Sequence, residues 1–297
     1  MKNKVETVMF LTYADSNYRD KAQVLFDSLI NGHISPQNIT IVSLDNNDFT
    51  EDLKGVNQIN WNQISKLKFK KREDYFKVLP SILIYLKNQG FRKILYLDCD
   101  IKAYFSHPEE LLPLLKGSIS AVKQNRLSVY KFFGNHSGTY NVGVNYFDFG
   151  YAETEVVVEE WKEQCINFHE NTSKRLGYFS EQLLMDNWSE KLTNFTVIDE
   201  SVFNQAIWNT LFFNVKFHGN RYYYKDKKIV FYHFSSIKCS EYFFYFFSQE
   251  KSITPIWFVM HNMYKDYIRL LRQTGYSKMT RVKRNVKRYI LGYNFNG

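Results

Sequence analysis

Short continuous apolar runs alternate with stretches of helical spacing through the first third of the chain. Thr7–Thr12 is an apolar run that ends at Tyr13-Ala14-Asp15. Tyr18–Ile30 then places Ala22, Leu25, Phe26 and Leu29 on one face, the spacing of a half-buried helix. Ile39–Leu44 is a second apolar run, closing on Asp45. Arg72–Leu86 reads as a helix through Tyr75, Phe76, Val78, Leu79, Ile82, Leu83 and Leu86, and Pro80 inside it predicts a kink or break. After Asn88-Gln89-Gly90, Lys93–Leu97 is a near-continuous apolar strand.

Strands that are apolar throughout are buried on both faces, so this order predicts an α/β fold with a mixed, mostly parallel sheet between layers of helices. Ligands of such sheets bind beyond the carboxyl ends of the strands. Three of those ends carry acids: Asp15, Asp45 and the pair Asp98 and Asp100. The second half predicts a strand at Val142–Phe149, helices at Ala152–Phe168 and Phe179–Trp188, and short strands at Phe195–Ile198, Val215–Phe217 and Ile229–Tyr232. From Ser240 to about Leu291 the pattern is helical with breaks near Pro255 and Gly275, and Tyr242–Phe247 reads as a buried helix. The expected organisation is a catalytic domain over 1–238 and a helical, basic C-terminal extension over 239–297.

Charge sharpens that division. The chain carries +9 overall among 297 residues, with 39 basic and 30 acidic side chains. Nine of those basic residues and one acid fall in 265–297, a local net of +8, which leaves the preceding body at +1. A basic block on a neutral body suits an anionic membrane surface and argues against a broad nucleic-acid groove. A solvated surface helix is the plainer alternative. No run approaches the roughly 20 apolar residues that span a bilayer. Met1–Thr7 is polar, Val8–Leu11 is too short for a signal core, and Cys99, Cys165 and Cys239 are few and scattered. The expected location is cytoplasmic, peripheral on the inner face of the membrane through the basic tail.

The sharpest chemical feature is Leu97-Asp98-Cys99-Asp100 after a buried strand. In extended backbone alternate side chains share a side, so Asp98 and Asp100 are expected to project together and Cys99 toward the buried side. Two hard carboxylates side by side suit Mg²⁺ or Mn²⁺, which prefer oxygen ligands and keep positions open for phosphate oxygens. An isolated acid pair of this kind is a weak signal, because acids also cap helices and turns.

Wider motifs add to it. Tyr13-Ala14-Asp15-Ser16-Asn17-Tyr18, Asp74-Tyr75-Phe76-Lys77-Val78-Leu79-Pro80 and Ile94-Leu95-Tyr96-Leu97-Asp98-Cys99-Asp100 resemble the N-terminal half of glycogenin-type and bacterial lipopolysaccharide galactosyltransferases. Asn141-Val142-Gly143-Val144, Phe179-Ser180-Glu181-Gln182, Asn204-Gln205-Ala206-Ile207-Trp208-Asn209 and Tyr232-His233-Phe234-Ser235 are similar to later motifs of that superfamily, in the same order. The resemblance implies the A-type glycosyltransferase fold, a Rossmann-like sheet plus extension, and a nucleotide-sugar donor. It implies Mn²⁺ or Mg²⁺ held by Asp98, Asp100 and His233. It puts Tyr13, Ala14 and Asp15 by the nucleotide, Lys77 by the diphosphate, and Asn141 and Gly143 by the donor sugar. Glu181 and Gln182 join Asp100 as the catalytic set. Glu181 stands where Asp is usual, and Lys77 replaces a common arginine, which forfeits a bidentate phosphate contact.

The function so implied is metal-dependent transfer of a sugar to a glycan or lipid-linked acceptor of a bacterial cell envelope or polysaccharide, with retention. Two other readings compete. A strand ending in paired acids also opens the nucleophile motif of haloacid-dehalogenase-like phosphohydrolases, and a donor-binding scaffold without turnover would keep the same residues. Taken alone, His233 reads as a satisfied strand-end histidine, Trp208 as a core ring and Cys99 as packing.

Overall fold

The computed structural model describes residues 7–49, 53–69, 72–124, 138–167, 180–206, 208–210, 214–235, 237–239, 245–247 and 262–274. Among them lie β1 (Met9–Ala14), α1 (Arg19–Asn31), β2 (Ile39–Ser43), β3 (Asn57–Asn60), α2 (Trp61–Ile64), α3 (Val78–Asn88) and β4 (Lys93–Leu97). There follow β5 (Ile101–Ala103), β6 (Ile119–Lys123), β7 (Tyr140–Asp148), α4 (Ala152–Ile166) and β8 (Phe195–Ile198). Seven strands form one sheet in the order β3-β2-β1-β4-β7-β6-β8. β3, β2, β1 and β4 run parallel, β7 is antiparallel to both β4 and β6, and β8 returns parallel to β6. The sheet is mixed and mostly parallel, as the apolar pattern predicted.

Both faces are covered, and alternation along the strands divides the core. Met9 and Leu11 of β1 and Ile94 and Tyr96 of β4 join one cluster with Ile82 and Leu83 of α3 and Val158 and Trp161 of α4. Phe10, Leu95 and Leu97 face the other way, into a cluster with Leu25 and Leu29 of α1. Every one of these side chains is under a tenth exposed, so each strand is buried on both sides and reads as a continuous apolar run.

The helix expected over Arg72–Leu86 is two pieces, a 3₁₀ segment at Arg72–Lys77 followed by α3. Pro80 is the third residue of α3, where its missing N–H removes no intrahelical bond, so it marks a start and not a mid-helix kink. The expected helix at Phe179–Trp188 is likewise two short pieces, Ser180–Leu183 and Trp188–Lys191, with Phe179 outside the described residues. β3, β5 and β6 went unread in the sequence: β3 is a polar edge strand (Asn-Gln-Ile-Asn) and β5 is three residues long.

Beyond the main sheet, β9 (Gln205–Ala206) and β13 (Phe231–His233) form a small sheet with β5 in the order β5-β13-β9. β10 (Val215–His218), β11 (Arg221–Tyr224) and β12 (Lys227–Lys228) form an antiparallel meander.

The chain divides into two compact units, 1–234 and 235–297. In the second, β14 (Ile237–Cys239) pairs antiparallel with β15 (Tyr245–Phe247), and a helix spans Asn262–Gln273. The buried helix expected over Tyr242–Phe247 is therefore corrected: its described part is a strand, a conformation consecutive aromatics favour. The Asn262–Gln273 helix buries Met263, Tyr264, Tyr267, Ile268 and Leu271, a one-sided set at helical spacing. The basic segment 278–297 lies outside the described residues. Among the described residues no helix is long and apolar enough to cross a membrane.

Candidate active site

The acid pair follows β4 and sits in a tight turn. The Asp98 carbonyl accepts from the Ile101 amide at 3.1 Å, which puts Cys99 and Asp100 at the corners. The two carboxylates thus come together because the chain folds back, and not by alternation along an extended strand. Cys99 consequently leans half-buried against the α1-side cluster instead of lying on the covered side of a strand. The Asp98 amide donates to the Gly143 carbonyl at 2.8 Å, fastening the turn to β7. β5 then leads away antiparallel to β13, with Ile101 opposite His233, and the Phe234 amide donates to the Asp100 carbonyl at 2.9 Å. This register delivers His233 to the acids from more than 130 residues downstream.

His233 Nε2 lies 2.9 Å from Asp100 Oδ1 and 3.6 Å from Asp98 Oδ2. One ligand atom from each residue falls within 4.8 Å of the others. Asp98 and Asp100 are each held at their second oxygen. The Tyr96 hydroxyl donates to Asp98 Oδ1 at 2.5 Å, and the Lys21 ammonium donates to Asp100 Oδ2 at 3.3 Å. Burial pushes the Asp98 carboxyl above its ordinary value against the pull of His233, and the Asp100 charge pushes it further up. Burial alone would raise Asp100 too, but Lys21 and His233 outweigh it and hold that carboxyl well below the usual carboxylate range. Burial opposes charge on His233, yet Asp100 and Asp98 overcome it and raise the imidazole above its ordinary value. Two neighbouring acids are thus driven apart by unequal partners.

β7 supplies the floor. It pairs regularly with β4, but its register with β6 jumps, Ala121 facing Asn145 and Val122 facing Asn141. Val142, Gly143 and Val144 form a bulge, and bulges commonly re-aim residues beside active sites. Asn145, fully buried, donates through Nδ2 to the carbonyls of Asn141 and Val142 at 3.1 and 2.7 Å. Asn141 Oδ1 accepts from the Gly143 amide at 2.7 Å and from Asn204 Nδ2 at 2.8 Å. Gln182 Oε1 accepts from the Val142 amide at 3.1 Å.

The donor set fits a hard divalent cation, with two carboxylate oxygens and one imidazole nitrogen. The space fits too. A Cβ on Gly143 would lie 2.9 Å from Asn141 Oδ1 and 3.0 Å from both Asp98 Oδ2 and His233 Nδ1, so glycine leaves the cradle open. His233 Nδ1 sits 3.3 Å from Asn204 Oδ1, an acceptor that favours a proton on Nδ1 and leaves Nε2 as the nitrogen that faces the acids. Trp208 meets the His233 ring edge-on at 5.3 Å.

Of the residues expected from the sequence, Asp98, Asp100, His233, Asn141, Gly143 and Gln182 are joined by the contacts above. Tyr13 stacks on Tyr96 at 5.5 Å, one step behind Asp98, and burial pushes its phenol up with the Asp98 charge adding to it. Ala14 closes β1, and Asp15 caps the following 3₁₀ turn by accepting from the Asn17 amide at 2.9 Å. Lys77 pairs with Asp74 at 3.6 Å. Glu181 is half-buried, and its carbonyl accepts from Trp161 Nε1 at 3.2 Å. Lys21, Tyr96 and Asn145 were missed. Lys21 lies in an ordinary amphipathic helix and Tyr96 in an apolar strand, so neither carries a sequence signal. Asn204 was noticed as part of a motif but had no role until its two contacts were seen.

No protein-family model matches the chain, and no curated protein matches it. Solved structures do. An active-site mutant of the glycosyltransferase LgtC is 15% identical, with a TM-score of 0.51 over 89% of this chain and 95% of that one. The bifunctional glycosyltransferase WbbM is 13% identical, with a TM-score of 0.52 over 92% of this chain and 51% of that one. The glycosyltransferase GlyE of Streptococcus pneumoniae TIGR4 is 18% identical, with a TM-score of 0.44 over 66% of this chain and 46% of that one. This chain therefore spans about half the length of WbbM and GlyE. The first two likenesses give the chain the A-type glycosyltransferase fold.

Proposed function

We propose that the protein transfers a sugar from a nucleoside-diphosphate donor to a glycan or lipid-linked acceptor and depends on a divalent cation to do so. The observation that carries this reading is the cradle of Asp98, Asp100 and His233, opened by Gly143, at the carboxyl end of β4 in a glycosyltransferase fold. Asp98 Oδ2, Asp100 Oδ1 and His233 Nε2 would hold the cation. A bound cation stabilises the negative charge that develops on the diphosphate as the sugar–phosphate bond breaks.

Tyr13, Ala14 and Asp15 at the end of β1 flank the base and ribose. Lys77, exchanging Asp74 for phosphate, contributes positive charge to the diphosphate. Asn141 and Gln182 spend their carbonyl oxygens on β7 amides, so their part is to hold Gly143 close to the donor sugar. Glu181 faces the sugar or acceptor. Resemblance to retaining enzymes supports attack from the face the leaving group departs, with a leaving phosphate oxygen taking the acceptor proton. Residues 1–238 form the catalytic domain in this reading.

The test is release of nucleoside diphosphate from a panel of nucleotide sugars with Mn²⁺. Asp100→Ala should cut that release at least ~10²-fold, the scale of losing a charge-stabilising group, while the melting transition persists. Turnover retained in Asp100→Ala would place the reaction elsewhere. Phosphate released from nitrophenyl phosphate would favour the phosphohydrolase, and donor binding without release the inactive scaffold.

A further inference from the structure

Lys21 is a lysine where lysines rarely sit. It is 4% exposed, on α1, 79 residues before its partner Asp100, and its ammonium also lies 5.0 Å from the centre of the Tyr18 ring. A buried ammonium is costly without a charge partner, and Asp100 Oδ2 lies 3.3 Å from it. The carboxylate is therefore divided: Oδ2 faces Lys21, and Oδ1 faces His233 at 2.9 Å.

Two consequences follow from that division. Asp100 offers one oxygen to the cradle, so a bidentate grip on a cation would require breaking the Lys21 contact. Lys21 also fixes a positive charge one carboxylate away from wherever the cation sits. Two acids and one ammonium leave the cradle with a single net negative charge. A divalent cation then gains little from the protein alone, and the multiple charges of a diphosphate are needed to complete its neutralisation.

We propose that Lys21 is a positioning residue that keeps Asp100 monodentate and the cation affinity of the donor-free protein low, so that cation and nucleoside diphosphate are taken up together. This rests on the cation site proposed above.

The experiment is Mn²⁺ binding to the full chain, followed by the loss of the free-Mn²⁺ electron paramagnetic signal, with Mn²⁺ alone as the probe. Lys21→Met and Lys21→Gln remove the charge at similar length, and Lys21→Arg keeps it. The neutral variants should bind Mn²⁺ about tenfold tighter or more, since a like charge in a low-dielectric site is repulsive. Lys21→Arg should stay within about threefold of the wild type. If Lys21→Met does not fold, Lys21→Gln carries the comparison. A purely structural role would weaken binding in the neutral variants. Equal or weaker binding there, with Asp100→Ala still abolishing the binding seen in the wild type, overturns the inference and leaves the cation site standing. No Mn²⁺ binding by the wild type or any variant, with or without added nucleoside diphosphate, overturns both.

Discussion

Gly143 shows how one absent methyl group shapes the site. Its backbone needs no left-handed conformation; what it supplies is room between Asp98, His233 and Asn141. Gly143→Ala would push a Cβ against three polar atoms at 2.9–3.0 Å, on side chains that each make a hydrogen bond of their own. Mn²⁺ binding and nucleoside-diphosphate release should each fall at least ~10-fold, and the melting temperature should move only a few degrees, because the misfit is local. Titrating Mn²⁺ into the variant and following its melting curve checks both; unaltered binding would mean the cation does not use this space. At this scale the sequence marked the acids, the glycine and the histidine through their motifs. It left Lys21 and Tyr96 unmarked, because a lysine in an amphipathic helix and a tyrosine in an apolar strand look like solvation and packing until their partners are known.

Elements are joined by a few polar contacts as well as by the core. Glu110, beyond β5, accepts two hydrogen bonds from Arg221 of β11 at 2.7 and 2.8 Å and pairs with Lys228 of β12, fastening the meander to the loop after β5. Burial works against its charge, but Arg221 and Lys228 prevail and hold the carboxyl down at about 2 from an ordinary 4.5. A depressed acid stabilises the fold above its unfolded value, and the stabilisation is lost as pH falls through the folded one. Glu110→Gln should therefore cost about 2 kcal/mol at neutral pH, reduced somewhat by solvent at a side chain 22% exposed. Urea midpoints of wild type and variant should converge as pH drops from 4.5 toward 2. A gap that stays constant over that range would sink the ion-pair account. Among the strands near this join, β10 and β13 were legible in the short runs Val215–Phe217 and Ile229–Tyr232. β5 and the polar β3 were not, because edge position and brevity erase the period-2 signal.

For the whole molecule, charge and fold separate. The body is close to neutral, while the last stretch carries the excess: Lys278, Arg281, Lys283, Arg284, Lys287 and Arg288 fall within the final twenty residues. Each basic residue near an anionic bilayer contributes about 1 kcal/mol. Removing 278–297 should sharply reduce sedimentation with phosphatidylserine vesicles and leave donor turnover in solution intact. Equal sedimentation of both forms would assign the tail no membrane role.

By itself the sequence determined the layered α/β body and the strand end that carries the acid pair, and its motifs pointed to Asp98, Asp100 and His233 as candidate ligands. Burial of continuous strands and the chemistry of acids are local properties, written in short windows. Only the tertiary structure decided how the acids converge, through a turn instead of an extended strand, and that α1 brings a buried ammonium to one of them. It also decided that a β7 bulge held by Asn145 presents Gly143 to the cradle. These depend on pairings between residues tens to more than a hundred positions apart, and such distances leave no periodicity in the chain to read.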